Sequence, residues 1–364
     1  MAIRPVNKVN PRLLAGTALL RLDFNTKDDW RMKAVLPTIQ LLRKRADRVV
    51  VISHRGRPAG AEKKFSLRRD AKDLSGFIKH KVVFIDHFRF AEIGERVAHS
   101  PRGSVFLLEN LRFQKGEERN DPKFAKALAS LGDFYVNDAF AVSHRANASV
   151  AAITKFLPSY AGIELENEMR SLGRAMIKPR RPLILILGGA KAGDKLGVIK
   201  YFKNKTDWFL LGGGPANTIL SIKGIDVQNS VRDRDPKDLK ALRKIADYGN
   251  IVVPDDFVWY DGKIWDMGRK AVQIFSRKIA KARTVLWSGP LGMFENPKYA
   301  KGSIAIARAI VKNRKAFSVA GGGETVMFLK KYGFDRKFGF ISTGGGAMVE
   351  YLAGKKLPGI EALR

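Results

Sequence analysis

The side chains best suited to chemistry in this chain fall into two sets that keep to separate halves. In the first half, arginine, histidine and asparagine follow short apolar runs: Asp23-Phe24-Asn25, then Ser53-His54-Arg55-Gly56-Arg57-Pro58, then Glu109-Asn110-Leu111-Arg112-Phe113, then Asn137-Asp138 leading to His144-Arg145. A guanidinium presents a rigid fork of donors that matches carboxylate and phosphate oxygens, so several converging arginines describe a site for a small polyanion. In the second half glycine takes their place, in Gly188-Gly189-Ala190-Lys191, Gly212-Gly213-Gly214, Ser288-Gly289-Pro290, Gly321-Gly322-Gly323 and Ser342-Thr343-Gly344-Gly345-Gly346. Lacking a Cβ, such backbone can approach phosphate oxygens closely, and the helix that follows offers unbonded N–H groups and a favourable dipole. That chemistry suits a nucleotide. None of the strings matches G-x-x-x-x-G-K-[ST], or G-x-G-x-x-G with a downstream acid, so neither a P-loop nor a dinucleotide fingerprint is present.

Taken singly, each string has a plain structural meaning. A glycine pair after a strand is more often a tight turn, a lone histidine a hydrogen-bonded structural group, and a lone arginine an ion pair. The partition between the halves changes that balance, because it points to two anionic substrates that meet across a cleft. The chain also shows no Ser-His-Asp order, no histidine-rich metal cluster and no paired acid and base in its glycine-rich half. Phosphoryl transfer needs none of these, since it depends on positioning and on neutralising the charge that spreads over the transferring oxygens. A carboxylate acceptor, ionised at neutral pH, removes even the need for a general base. Lys191 and Lys195, spaced to share one helix face, are the natural cationic clamp.

These groups must be carried by elements. Apolar runs rich in Val, Ile and Leu at 18–22, 49–52, 105–108 and 134–136, and again at 183–187, 208–211, 251–253, 284–287, 317–320 and 338–341, alternate with amphipathic segments. That alternation predicts parallel α/β sheets, whose ligands bind beyond the carboxyl ends of the strands, where the motifs stand. Residues 164–177 carry Leu165, Met169, Leu172 and Met176 at helical spacing and stop at Lys178-Pro179, which predicts a connecting helix.

A chain of 364 residues exceeds what one core usually supports, so two domains are expected. The sequence has no cysteine, which excludes a disulfide framework or a thiolate centre and fits a cytoplasmic location. Basic residues before the apolar stretch 13–20 crudely imitate a signal peptide, but Gly16, Thr17 and the immediate Arg21 and Asp23 favour a first strand. No apolar run approaches the ~20 residues that span a bilayer, so no membrane segment is expected. The excess of 67 Lys and Arg over 35 Asp and Glu gives a formal charge of +32, a field that attracts anions and makes non-specific nucleic-acid binding conceivable. The basic runs at 43–45, 178–181 and 277–283 read as solvated helix faces, with no aromatic interleaving of the RNA-binding kind.

The same strings resemble phosphoglycerate kinase, in order and over nearly the whole chain, from about 19 to 363. The resemblance rests on Arg21-Leu22-Asp23-Phe24-Asn25, on 53–58, 107–113, 188–195, 287–295 and 342–347, and on Leu357-Pro358-Gly359. It implies an α/β protein of two Rossmann-like, doubly wound parallel-sheet domains joined by a hinge helix, with a C-terminal tail returning to the first domain. The expected divisions are 1–163 with 352–364 for phosphoglycerate, 164–178 for the hinge, and 179–351 for the nucleotide. The implied activity is reversible Mg2+-dependent phosphoryl transfer from 1,3-bisphosphoglycerate to ADP, giving 3-phosphoglycerate and ATP, by a cytoplasmic monomer.

Residue by residue, the resemblance places Asp23, Phe24, Asn25, Arg31, His54, Arg55, Gly56, Arg57, Arg112 and Arg145 at the phosphoglycerate. It places Arg31, Lys191 and Gly323 at the transferring group. Lys195, Gly213, Gly214, Pro290, Glu295, Gly322, Gly323, Glu324 and Thr325 fall to the nucleotide, with Glu324 as the metal ligand. Departures cluster on the nucleotide side, where Ser288 stands for a usual asparagine and Glu324 for a usual aspartate. Elsewhere Arg55 replaces a common leucine, Ala141-Val142-Ser143 replaces Gly-Thr-Ala, and the loop between Asn25 and Arg31 is short. A different class of reading is a basic nucleic-acid-binding protein that keeps a kinase-like scaffold, and a coupled assay for ATP formation separates the two. Closure of the halves about the 164–177 helix is expected, because in-line transfer needs reacting atoms within ~3.5 Å.

Overall fold

The apolar runs fold into two parallel sheets in the computed structural model, which describes residues 3–26 and 28–364. Lys27, in the short loop after Asn25, lies outside the described residues. The chain packs as two compact units, residues 1–169 with 356–364, and residues 170–355.

The first sheet contains β1 (Thr17–Arg21), β2 (Arg48–Ile52), β3 (Val82–Ile85), β4 (Ser104–Leu108), β5 (Phe134–Asn137) and β6 (Ser159–Ala161). Their spatial order is β3-β4-β2-β1-β5-β6. β1 is buried along its whole length, with Leu20 in register between Val51 and Val136, as expected of a central strand covered on both faces. The helix Arg68–Ile78 turns Ala71, Leu74 and Ile78 inward at helical spacing. Near the C-terminus the short helix Pro358–Glu361 joins this unit, where the Gly359 amide donates to the Ser143 carbonyl at 2.8 Å.

The second unit is built on β7 (Leu183–Leu187), β8 (Trp208–Leu211), β9 (Ile251–Val252), β10 (Phe257–Tyr260), β11 (Lys263–Met267), β12 (Thr284–Ser288), β13 (Phe317–Gly321) and β14 (Phe340–Ile341). The sheet order is β14-β13-β12-β7-β8-β9, and β10 and β11 form a separate antiparallel hairpin. β7 and β12 are wholly buried, with Leu286 facing Leu185 on one side and Val319 on the other. In both sheets the chain winds outward in one direction, returns to the centre and winds the other way. The reversals lie between β1 and β5 and between β7 and β12, and ligand crevices form at such points.

The connecting helix runs Ile163–Met176. Among the described residues no helix is long and apolar enough to cross a membrane.

Candidate active site

In the second unit the chain leaves β7 as Gly188-Gly189-Ala190-Lys191, directly beside the end of β12. The Gly188 amide donates to the Ser288 carbonyl at 2.9 Å and the Gly189 amide to the Pro290 carbonyl at 2.8 Å. A Cβ on Gly188 would run into that Pro290 carbonyl, so this close approach of strand ends requires glycine. Gly322, at φ 96°, turns the chain out of β13 into the helix Gly323–Lys331, which begins without a side-chain cap. Its first amides are donors suited to anionic oxygens.

These strand ends surround a cavity of about 780 Å³. Lys191, Lys195, Ser288, Glu324 and Thr325 reach its wall together with Gly188, Gly189, Gly322 and Gly323. Lys195 Nζ donates to Ser288 Oγ at 3.0 Å. Burial lowers the Lys195 pKa, against the opposing pull of Asp194 and Glu324.

Other expected nucleotide residues stand off this wall. The Gly214 amide donates to the Gly189 carbonyl at 2.8 Å and the Gly213 amide to the Leu291 carbonyl at 3.1 Å, so both are bonded to the loops that form the wall. Glu295 is exposed, and Lys331 donates to its backbone carbonyl at 2.6 Å. Glu350 and Lys355 also line the cavity, paired at 3.3 Å. Sequence reasoning missed them, although their place in and just after the helix begun by Gly346 was a signal.

In the first unit the strand ends carry a buried polar network. Arg21 is fully buried, with Nε donating to Ser149 Oγ at 2.8 Å and Nη2 lying 3.8 Å from Glu117 Oε1. Removing one partner of a buried pair of this kind typically costs about 3–5 kcal/mol, so Glu117 is structural here. Arg21 Nη2 also stands 3.2 Å from His54 Nδ1. Burial, with Arg21, Arg112 and Arg145 adding to it, pushes the His54 pKa well below the usual value despite Asp23. His54 is therefore a neutral imidazole. Because Nδ1 faces an arginine donor, the proton resides on Nε2 and makes it a donor.

Asp23 Oδ2 accepts from Arg31 Nη1 at 2.7 Å. Burial opposes its charge, but Arg31, the Asn25 amide and Arg21 hold its pKa below the ordinary value. Asn25 Oδ1 accepts from the Gly56 amide at 2.8 Å, and Asn110 bonds both the amide and the carbonyl of Arg55. Those contacts fix the 53–58 loop. Arg112 donates through Nη1 to the Gly56 carbonyl and pairs through Nε with Glu118 at 3.1 Å.

Arg31 Nε, Arg112 Nη2 and Asn137 Nδ2 are among the buried donors of this unit that have no hydrogen-bond partner among the described residues, as are Arg43 Nε and Arg45 Nη1 on the helix before β2. Orphaned donors are rare, and a bound anion is one way to satisfy them. Arg145 Nε lies 3.2 Å from His144 Nε2, and Arg57 is exposed. Phe24 and Arg55 stand apart from this set. Phe24 packs in the core, while Arg55 donates to both oxygens of Asp70, at 2.5 and 3.2 Å, on the wall of another cavity of about 1310 Å³.

The sequence model of the phosphoglycerate kinase family matches residues 13–355. The chain is similar to a phosphoglycerate kinase of Dictyoglomus turgidum, 40% identical over 95% of this chain and 95% of that one. A Nostoc sp. phosphoglycerate kinase is likewise 40% identical, over 95% of each chain. Among solved structures, the phosphoglycerate kinase of Coxiella burnetii superposes with a TM-score of 0.86 at 31% identity, over 99% of this chain and 98% of that one. That of Pyrococcus horikoshii gives 0.87 at 31% identity with the same coverage. Motif order, doubly wound topology and whole-length similarity thus agree, and the chain belongs to the phosphoglycerate kinase family.

Proposed function

We infer that this protein is the phosphotransferase that moves a phosphoryl group between 1,3-bisphosphoglycerate and ADP, with the 3-phosphoglycerate carboxylate as acceptor in the reverse direction. The observation that carries the reading is the glycine-walled cavity in which Lys191 and Lys195 stand beside the uncapped Gly323–Lys331 helix. Nucleotide phosphates fit a wall of amides and ammonium groups. On the first unit the buried donors of Arg31, Arg112 and Asn137 suit the phosphate and carboxylate of phosphoglycerate.

In this reading Arg112, His54 as a neutral Nε2–H donor, and Arg31 oriented by Asp23 hold phosphoglycerate. Lys195 and the amides of Gly322 and Gly323 hold the nucleotide phosphates. Lys191 neutralises charge on the transferring oxygens, where a contact stronger in the transition state than in the ground state accelerates the reaction. No side chain has to remove a proton, because the acceptor carboxylate is already ionised. The helix Ile163–Met176 serves as the hinge of a ligand-driven closure.

Mg2+ fits the donor set. Among the described residues no group of three or more His, Cys, Asp or Glu could hold a metal, but Glu324 and Asp194 line the cavity. An ion that binds through one or two carboxylates, phosphate oxygens and retained water needs no more. Glu324 would hold it, and when bound it supplies charge neutralisation to the phosphates. We further propose a cytoplasmic monomer, with non-specific attraction of nucleic acid as a by-product of the +32 charge.

ATP formation from 1,3-bisphosphoglycerate and ADP, followed in a coupled assay, tests the reading. Robust, Mg2+-dependent turnover is expected, and its absence in folded protein would overturn it.

A further inference from the structure

Lys191 and Lys195 ride on a stretch with little regular structure of its own, ending in the 3-10 turn Gly193–Lys195. What fixes the stretch lies outside it. The Gly193 amide donates to Asp233 Oδ2 at 2.8 Å. Asp233 is itself held, because its amide donates to Thr218 Oγ1 at 2.9 Å and that hydroxyl donates to the Gly214 carbonyl at 2.7 Å. The Gly214 amide in turn donates to the Gly189 carbonyl at 2.8 Å. The circuit therefore leaves the lysine loop at one end and re-enters it at the other. Thr218 is fully buried, so water does not compete for its links.

The second oxygen of Asp233 accepts from the Asp235 amide at 3.1 Å, just ahead of the helix Pro236–Ala246. Its acidic neighbour Asp235 is used differently, capping that helix through the Lys237 amide at 2.8 Å. Gly193 has a reason to lack a side chain, since a Cβ there would collide with the Asp238 carboxylate and crowd Asp233 Oδ2 at 3.2 Å.

We propose that Asp233 is a positioning residue for phosphoryl transfer, holding the 190–195 loop so that its two lysines face the cavity. Asp233 is not on the cavity wall, so it acts through Gly193 and not on substrate. The proposal rests on the phosphate-binding role given above to Lys191 and Lys195. A displacement of about 1 Å at a reacting group can cost on the order of 100-fold in rate, which sets the scale of the effect.

The test compares Asp233→Ala, Asp233→Asn, Thr218→Val and Lys191→Ala in the full chain, by steady-state kinetics and by amide hydrogen exchange of the segment spanning 188–196. Asp233→Ala is expected to lower kcat roughly 10- to 100-fold with the KM for 3-phosphoglycerate unchanged, and to speed exchange in that segment alone. Asp233→Asn keeps an acceptor for the Gly193 amide and should retain most of kcat and of the protection. Thr218→Val should act in the same direction as Asp233→Ala, more weakly.

Parental kcat in Asp233→Ala overturns the proposal, whatever the exchange shows. If that variant does not fold, parental kcat in Thr218→Val overturns it equally. Parental kcat in Lys191→Ala would remove the underlying reading of the site and the proposal with it. A loss in Lys191→Ala with none in Asp233→Ala removes the proposal alone.

Discussion

Lys191 and Lys195 share a loop but not an environment. Lys191 is exposed, while Lys195 is half-buried against the Ser288 hydroxyl with its pKa lowered by burial. An exposed ammonium on a phosphate site gains most when a ligand shuts out water, so its effect should fall on the transition state. Lys191→Ala is expected to lower kcat by about two orders of magnitude, or roughly 3 kcal/mol, with phosphoglycerate affinity nearly unchanged. Steady-state kinetics with a separate binding titration check it, and an unchanged kcat removes the role.

Lys195 ties together the two departures on the nucleotide side. Ser288 takes its Nζ, and Glu324 is one of the two carboxylates whose charge acts on it. Relative to the usual family residues one side chain is shorter and the other longer, so each can compensate the other through the shared lysine. Glu324→Asp and Ser288→Asn are each expected to impair ATP formation, with the double variant recovering much of the loss. Strictly additive effects in that cycle would rule out coupling and favour a metal held through water. The arginine and glycine strings of the site were legible because strand ends and the loops after them are contiguous in sequence. Glu117 and Asp233 were not, since their partners Ser149 and Gly193 lie 32 and 40 positions away. A glutamate in Lys115–Glu118 or an aspartate among charged neighbours reads as a solvated face.

At the scale of elements, the helix Ile163–Met176 starts from a crowded set of acids. Leu165 donates its amide to Asp138 Oδ1 at 2.8 Å, and the Ile163 amide donates to Thr38 Oγ1 at 3.0 Å. Burial raises the Asp138 pKa to about 7, although the Thr38 hydroxyl and the Leu165 and Glu164 amides pull the other way. Burial, then Glu168 and Asp138, raise Glu164 to about 9, with Asn167 opposing. With a folded-state pKa above the unfolded one, the folded chain holds the extra proton between the ordinary carboxylate range and about 9. This contribution to stability is complete at low pH and is lost as pH rises through that window. Glu164→Gln is expected to gain stability relative to the parent progressively from pH 5 to pH 9, read from urea midpoints. A mutant-to-parent difference constant across that range would contradict the raised pKa.

Every apolar run named from the sequence became a strand, with small changes of boundary. The run at 338–341 pairs only from Phe340, because the Gly339 amide is taken by Ser318 Oγ at 3.0 Å. The edge strands β3 and β6 escaped notice for physical reasons. The middle of β3 is half-exposed and β6 spans only Ser159–Ala161, so neither shows the continuous apolar signature of a central strand. The β10–β11 hairpin was not anticipated from the sequence; it turns at Asp261-Gly262, both at positive φ, between aromatic residues. Its half-exposed strands do not resemble those of a parallel sheet, and it falls outside that pattern.

At the scale of the whole molecule the unexplained quantity is the charge of +32. Part of it is spread over aromatic faces, with Lys278 3.1 Å from the centre of the Trp208 ring, Lys205 3.5 Å from Tyr201 and Arg174 4.2 Å from Phe317. Such contacts each stabilise by about 0.5–1 kcal/mol at exposed sites, and they leave the net field intact. That field destabilises the compact state by self-repulsion. Raising ionic strength from 0.01 to 0.15 M shortens the Debye length from about 30 to about 8 Å, which suppresses repulsion between distant cations more than attraction within contact pairs. Pairs such as Lys33 with Asp29 at 2.7 Å and Arg89 with Glu92 at 2.6 Å are short enough to survive it. The thermal midpoint is therefore expected to rise between those two salt concentrations. Anion binding at the arginine cluster could raise it too, but that effect saturates at one site, depends on the anion and grows from chloride to phosphate. Screening does not distinguish chloride from bromide at equal ionic strength and acts equally on a variant lacking Arg112. A midpoint that falls with added sodium chloride would show that surface ion pairs outweigh the repulsion, and would reverse this account of the charge.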